Sequence, residues 1–270
     1  METIHERVAG LDVHKDTVVA CVRVPGGRGR RESHVHEFST TTPGLMALRD
    51  WLVSHQVGLV GMEATGNCWK PVYYALEDAS ECWLLNARHL RNVPGRKTDL
   101  ADAAWIAQLL EHGLVHPSFV PPPEIRELRD LTRYRKAQIE ERGREAQRLD
   151  KVLQDAGIKL SLVASHLMGV SAQAMLRAMV AGERDPEILA ELAKGKLRRK
   201  LPELAEALEG RFRGHHALLV GEILAKLDHL DEAIERLSDE IERVLGPFAP
   251  QAELLRTIPG VDRRMAEALI

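Results

Sequence analysis

Val8-Ala9-Gly10-Leu11-Asp12-Val13-His14-Lys15-Asp16-Thr17-Val18-Val19-Ala20-Cys21-Val22-Arg23-Val24 is the stretch on which the fold turns. It reads as two strands. The first is the apolar run from Val8 to Leu11, closed by Asp12. The second, Thr17 to Val24, is rich in β-branched residues, which suit a pleated, half-buried surface, and Pro25-Gly26-Gly27 ends it with a turn. Working outward, residues 32–38 form a weaker third strand. Thr42-Pro43-Gly44 opens a helix to about His55 with Leu45, Leu48, Trp51 and Leu52 on one face. Residues 57–63 make a fourth strand closed by Glu63, residues 71–78 a helix and residues 82–86 a fifth strand. A polar loop, 87–97, then leads to a helix over 98–112. The order β-β-β-α-β-α-β-α predicts an α/β domain. Its sheet is mixed, with hairpins among the first three strands and parallel pairing in the later β-α units.

Pro117 and the run Pro121-Pro122-Pro123 close this region, because a triple proline cannot continue a helix and makes a stiff connector. The first boundary therefore falls near 120, giving a domain over 1–120 and a helical region over 121–250. Within that region a long charged helix spans 124–157, shorter helices cover 161–181 and 186–209, and a second long helix spans 215–245. The last carries a strict heptad, with Val220, Leu227, Ile234 and Ile241 alternating with Ile223, Leu230, Leu237 and Val244. Such a seam either packs on helix 124–157 within the chain or joins copies into a dimer or higher homo-oligomer. Helix 124–157 has apolar ends, but its middle offers mainly Ala137, Ile139 and Ala146, so a fully sealed seam is not expected. Residues 251–270, with Leu255-Arg256-Thr257-Ile258-Pro259-Gly260-Val261, look like the turn of a helix-hairpin-helix at the start of a further domain.

Composition sets the outer limits. The 270 residues suit one large or two ordinary domains, and 44% hydrophobic content is that of a globular protein with a sizeable core. Lys and Arg total 37 against 40 for Asp and Glu, a formal charge of −3, so any surface for a polyanion must be local. Cys21, Cys68 and Cys82 lie far apart with no C-x-x-C pair, which argues against zinc and disulfides and fits a reducing, cytoplasmic setting. The first residues are too polar for a signal peptide, and no apolar run approaches the roughly 20 residues of a membrane span.

Four carboxylates carry the chemistry. Asp12 and Glu63 end strands that the element order places side by side, and Asp99 and Asp102 open a helix at i and i+3, on one face. Each alone is more often a turn former or a helix cap. Together, at one point, they would repel unless cations sat between them. The fitting ion is Mg²⁺, with Mn²⁺ as its substitute. Two such ions about 4 Å apart clamp the attacking and leaving oxygens of a phosphodiester. That chemistry is the cutting or joining of polynucleotides.

Gly10-Leu11-Asp12-Val13-His14-Lys15, Met62-Glu63-Ala64-Thr65-Gly66 and Lys97-Thr98-Asp99-Leu100-Ala101-Asp102-Ala103 closely resemble the motifs of the DEDD transposases of insertion-sequence family 110. Loop 88–97, with Asn92, Pro94, Gly95 and Lys97, fits as well. The resemblance implies a RuvC-like, ribonuclease-H-like catalytic domain over 1–120, a coiled-coil region and the beginning of a C-terminal transposase domain from about 251. It further implies that Asp12, Glu63, Asp99 and Asp102 bind Mg²⁺, that a bridge RNA selects donor and target DNA, and that a serine in the C-terminal domain attacks DNA. That serine is expected downstream of Ile270, leaving this chain incomplete for strand exchange.

Basic clusters add a second signal. Arg88, His89, Arg91, Arg96 and Lys97 sit in an acid-free stretch before Asp99, where a phosphate backbone needs counter-charge. Lys194, Lys196, Arg198, Arg199 and Lys200 form another, and both are candidate nucleic-acid contacts. Helix 124–151 carries nine Lys or Arg against seven acids, which ion-pair lacing explains at least as well as RNA binding. The four tryptophans read as core. The H-x-x-x-H pair His112/His116 lies at a helix end and makes no metal site. The alternative function is a plain Mg²⁺-dependent nuclease or Holliday-junction resolvase of the same fold. An actin-like ATPase would need glycine two residues after Asp12, where His14 stands, and a coiled-coil scaffold leaves the acids unexplained.

Overall fold

The computed structural model describes residues 2–64, 66–92, 102–164 and 166–270, without the side chains of Arg28, His89, Arg91 and Asn92. The chain forms two compact units, Met1–Val120 and Pro121–Ile270.

The first unit is built on five strands: β1 Val8–Val13, β2 Thr17–Pro25, β3 Arg31–Ser39, β4 Leu59–Glu63 and β5 Glu81–Leu85. Their order in the sheet is β3-β2-β1-β4-β5. β1, β2 and β3 pair antiparallel, while β1, β4 and β5 run parallel. This is the mixed sheet the element order predicts. The hairpin from β1 to β2 closes over three residues, with the His14 N–H donating to the Thr17 carbonyl at 2.9 Å. The parallel neighbours need crossovers, which α1 (Thr42–Ser54) and α2 (Trp69–Leu76) supply. Both helices pack on one face, where Ala9, Leu11, Val60 and Met62 meet Leu45, Leu48, Leu52, Val72 and Leu76. The alternate strand positions Val8, Cys21, Leu59 and Leu85 point to the opposite face and pack against α4 (Asp102–Glu111). A short helix, α3 (Ala87–Asn92), occupies part of the span expected as loop. Residues 93–101 of the expected loop and helix lie outside the described residues. Trp51, Trp69, Trp83 and Trp105 are half-buried against these two cores, as expected of core aromatics.

The second unit is helical throughout. α5 (Pro123–Asp155) follows the proline run, with Pro123 at a position where its missing N–H costs nothing. The two intermediate helices expected from sequence are each divided. α6 (Leu160–Val163) and α7 (Val170–Val180) are separated by a turn, in which the Gly169 N–H donates to the His166 carbonyl. α8 (Pro186–Glu191) and α9 (Leu201–Leu208) are separated by a 3₁₀ stretch, Gly195–Lys200, and Pro202 opens the second of them. α10 (Gly214–Leu245) follows, then α11 (Ala249–Arg256) and α12 (Arg263–Leu269).

α10 lays its apolar seam against α5 within the chain, the first of the two arrangements the heptad allows. Arg135 reaches Ser238, Arg142 reaches Asp231, Glu145 reaches Lys226 and Asp155 reaches His216, so the two helices run antiparallel. Val220, Leu227, Leu230 and Ile241 of the predicted seam are buried, while Ile223, Ile234, Leu237 and Val244 are half-buried. Leu224 and Leu245 are buried beside them. Opposite, the middle of α5 presents Thr132, Arg135 and Glu145 as buried polar groups, so the seam is not sealed by hydrocarbon alone. α11 and α12 are joined by a turn in which the Val261 N–H donates to the Ile258 carbonyl. Asp262, directly after that turn, caps α12 by accepting the Met265 N–H at 2.7 Å.

Candidate active site

Two glycines explain how the acids are positioned. A Cβ on Gly10 would lie 2.1 Å from the Ala103 carbonyl oxygen and 2.4 Å from the Ala107 nitrogen. A Cβ on Gly61 would lie 2.6 Å from Leu110 Cδ1. Gly10 and Gly61 are register partners on the adjacent parallel strands β1 and β4. α4 therefore crosses the sheet at van der Waals distance over this pair, with its first turn above β1. Asp12 is two residues beyond Gly10, and Glu63 two beyond Gly61. The two-residue period of a strand puts both on the face that α4 covers, next to each other at the carboxyl ends of their strands. Asp102 is the first residue of α4, one position before the Ala103 carbonyl that overlies Gly10. Sheet and helix thus bring Asp12, Glu63 and Asp102 to one end of the domain. All three are half-buried. Asp99 lies outside the described residues.

Among the described residues Asp12 is met by His14, whose Nε2 lies 3.2 Å from Asp12 Oδ2. At the far end of α4, Glu111 is almost fully buried between two guanidinium groups. Arg23 of β2 donates to it through Nε, and Arg31 of β3 places its Nε 3.1 Å from Oε1. The Glu111 carbonyl also accepts the N–H groups of Ile4 and His5. Gly113 at φ +65° then ends the helix. Its own N–H bonds to the Leu110 carbonyl and that of Leu114 to the Leu109 carbonyl, the 5→2 and 6→1 pairs respectively of a Schellman stop. Close contact at one end and a compensated buried charge at the other fix α4 on the sheet. Sequence reasoning missed Glu111. Its signal is a single acid in the last turn of an otherwise apolar helix face.

The basic candidates divide. Arg88 is exposed in α3, the Arg91 side chain is outside the description, and Arg96 and Lys97 are outside the described residues. Lys194, Lys196, Arg199 and Lys200 are exposed around the 3₁₀ stretch. Arg198 is exposed too but engaged, donating to the Glu191 carboxylate at 2.8 Å and to the Glu191 and Ala193 carbonyls.

Among the described residues, the one group of three ligand-type side chains whose donor atoms all lie within 4.8 Å of one another is Asp155, His215 and His216, so Asp12, Glu63 and Asp102 are not drawn together that closely. The hydrogen bonds of the Asp155 cluster argue against a metal there. His216 Nδ1 accepts the Arg213 N–H at 3.1 Å, so Nε2 carries the proton and donates it to Asp155 at 2.9 Å. That nitrogen then has no lone pair for an ion. The cluster ties the end of α5 to the start of α10, and the His216 N–H holds the Asp155 carboxyl below its usual range.

A mixed five-stranded sheet, with acids at the ends of adjacent parallel strands and at the head of the helix crossing them, followed in sequence by an antiparallel helical unit, defines the class: an α/β domain carrying an all-α second unit. The chain belongs to the DEDD transposases of insertion-sequence family 110. That family's model, described as a transposase, matches residues 9–158, more than half of the chain. Among solved structures, the RuvC of Thermus thermophilus is similar at 15% identity, covering 42% of this chain and 99% of RuvC with a TM-score of 0.30. The same protein in complex with a Holliday junction substrate gives 15% identity, the same coverage and a TM-score of 0.29. No curated protein sequence matches the chain.

Proposed function

We propose that the first unit is the catalytic domain of a Mg²⁺-dependent DNA transposase, cutting and rejoining DNA at Asp12, Glu63, Asp99 and Asp102. The observation that carries this reading is the seating of α4 on Gly10 and Gly61, which supports a site shared by Asp102 with the strand-end acids Asp12 and Glu63. The donor set fits the ion, since hard carboxylate oxygens suit Mg²⁺ and Mn²⁺, with the His14 imidazole beside Asp12 as the one softer neighbour among the described residues. The ion held there supplies Lewis-acid stabilisation of charge on the phosphodiester. The protein's own part is to hold the acids. Asp12 and Glu63 are fixed by strand register and Asp102 by a helix that cannot slide without meeting β1. The β3-β2-β1-β4-β5 order supports a ribonuclease-H-like domain of the RuvC type.

Around this centre, Arg88, Arg91, Arg96 and Lys97 are the candidate contacts to the DNA backbone. Lys194, Lys196, Arg199 and Lys200 offer a second exposed patch, for a bridge RNA that selects donor and target. Arg198 serves that patch as a structural tie. Assembly of two or more copies completes the reading. Three free cysteines support a reducing, cytoplasmic setting, and no helix among the described residues is long and apolar enough to cross a membrane.

Calorimetry with Mn²⁺ on the wild type and on Asp12→Asn tests the centre. Binding is expected in the first and lost or strongly weakened in the second. Equal affinity in both would remove the carboxylate centre, and metal-dependent cutting without any joining would favour the plain nuclease.

A further inference from the structure

We propose that the solvent face of α5 is a docking surface for the backbone of double-stranded DNA. Nine cations and seven acids between residues 124 and 151 suggest an evenly laced helix, but the fold separates them by face. Arg129, Arg133, Lys136, Arg144 and Lys151 are exposed, and their spacing places them on one side of the helix. Glu140 is the one acid among them. Other acids are turned aside and engaged. Glu141 takes Lys226 at 2.7 Å and Arg144 at 2.6 Å, Glu145 takes Lys226 and Arg148, and Asp150 accepts from Gln154. Arg129, Arg133 and Lys151 make no ion pair among the described residues, and Lys136 reaches Glu140 only at 3.9 Å.

The geometry points to a duplex. From Arg129 to Lys151 an unbroken α-helix rises about 33 Å, close to one turn of B-form DNA at about 34 Å. Single strands are held by stacking on aromatic rings. The only aromatic of α5, Tyr134, sits off this face, a helical step of about 100° round from Arg133. Cations without aromatics read phosphates, not bases, so binding here is independent of sequence. The inference rests on the reading of this family member as a DNA-acting protein, but not on its metal centre.

The test is fluorescence anisotropy of the full chain with a 30-base-pair duplex of arbitrary sequence (about three turns), in EDTA, across a salt series. Arg129→Gln/Arg133→Gln/Lys151→Gln is compared with Arg177→Gln/Arg236→Gln/Arg243→Gln, which removes equal charge from ion-paired positions on other faces. The first triple should lower the slope of log affinity against log salt by about three, one per lost phosphate contact, and the second should leave it near the wild type. Arg133→Gln alone should lower it by about one, which keeps the test open if the triple folds poorly. Equal slopes for the two triples would overturn the proposal, as would a loss confined to an RNA hairpin or a single strand. A wild type that binds no duplex in EDTA would also sink it, leaving the metal centre to the calorimetry above.

Discussion

Gly10→Ala probes the seating of α4 with a single methyl group. The new Cβ would stand 2.1 Å from the Ala103 carbonyl oxygen and 2.4 Å from the Ala107 nitrogen, both backbone atoms that no rotamer change can move. Restoring ordinary contact requires the first turn of α4 to retreat by about 1 Å, at an overpacking cost of about 3 kcal/mol. Two other glycines calibrate this figure. Gly61→Ala meets Leu110 Cδ1 at 2.6 Å, the end of a flexible side chain that can turn away, so its cost should be about 1 kcal/mol. Gly58→Ala meets nothing within 4 Å and should be near neutral. Because Asp102 rides on the displaced turn, Gly10→Ala should also weaken Mn²⁺ binding about tenfold, the effect typical of losing a support behind a ligand. Chemical denaturation and Mn²⁺ calorimetry on the three variants give both readouts. If Gly10→Ala were as stable as Gly58→Ala, or if it lost stability with metal affinity unchanged, the account of how α4 delivers Asp102 would be wrong.

Other predictions concern the helical unit. Arg135→Ala leaves Glu267, which is 2% exposed, without its main partner, and should cost about 3 kcal/mol, the low end for a broken buried pair because Arg263 still reaches Glu267 at 2.9 Å. Hydrogen exchange should report the loss first in α12, and protection equal to wild type there would refute it. Hydrogen bonds from Lys226 and Arg144 lower the Glu141 carboxyl from 4.5 to about 2. Its stabilising effect is therefore full above about pH 4.5 and is lost as pH falls towards 2. Glu141→Gln should flatten the fall of the denaturation midpoint between pH 4.5 and 2.5, and parallel curves would exclude this pair as a cause. Leu230→Glu with Leu237→Glu attacks the seam. Packing on α5 predicts an unfolded helical unit, whereas a folded variant of lower mass by light scattering would assign the seam to self-association.

Much of the first unit is legible in its sequence because each strand carries its own signal. β-branched runs mark β2, and turn residues bound the neighbours, so five strands and the mixed pairing emerge from local chemistry. The helical unit is harder. The seam of α10 is written in its heptad, but the partner face of α5 is not, because Thr132, Arg135 and Glu145 occupy positions where a seam pattern expects hydrocarbon. Arg135 becomes acceptable there through Ser238 and Glu267, far away in sequence, and Glu145 through distant Lys226 together with its neighbour Arg148. The same reason hides the breaks within 161–181 and 186–209, where apolar spacing continues across turns that tertiary packing requires.

The acids Asp12, Glu63 and Asp102 are legible as strand-end and helix-start residues, but it is strand register and the seating of α4 that put these three at one end of the domain. The decisive residues are the glycines. In sequence, Gly10 and Gly61 look like weak points in two strands. In the fold they are the positions where a helix backbone or a leucine occupies the space a side chain would need. Glu111 is the complementary case. A lone acid in an apolar helix reads as a defect until Arg23 and Arg31 arrive from two antiparallel strands to neutralise it. These strands belong to the β1-β2-β3 hairpins, whereas the acids sit on the parallel pair β1 and β4. The hairpin half of the sheet therefore serves the centre by gripping the far end of α4, and the parallel half serves it by carrying Asp12 and Glu63. One helix, held at both ends, links the two halves.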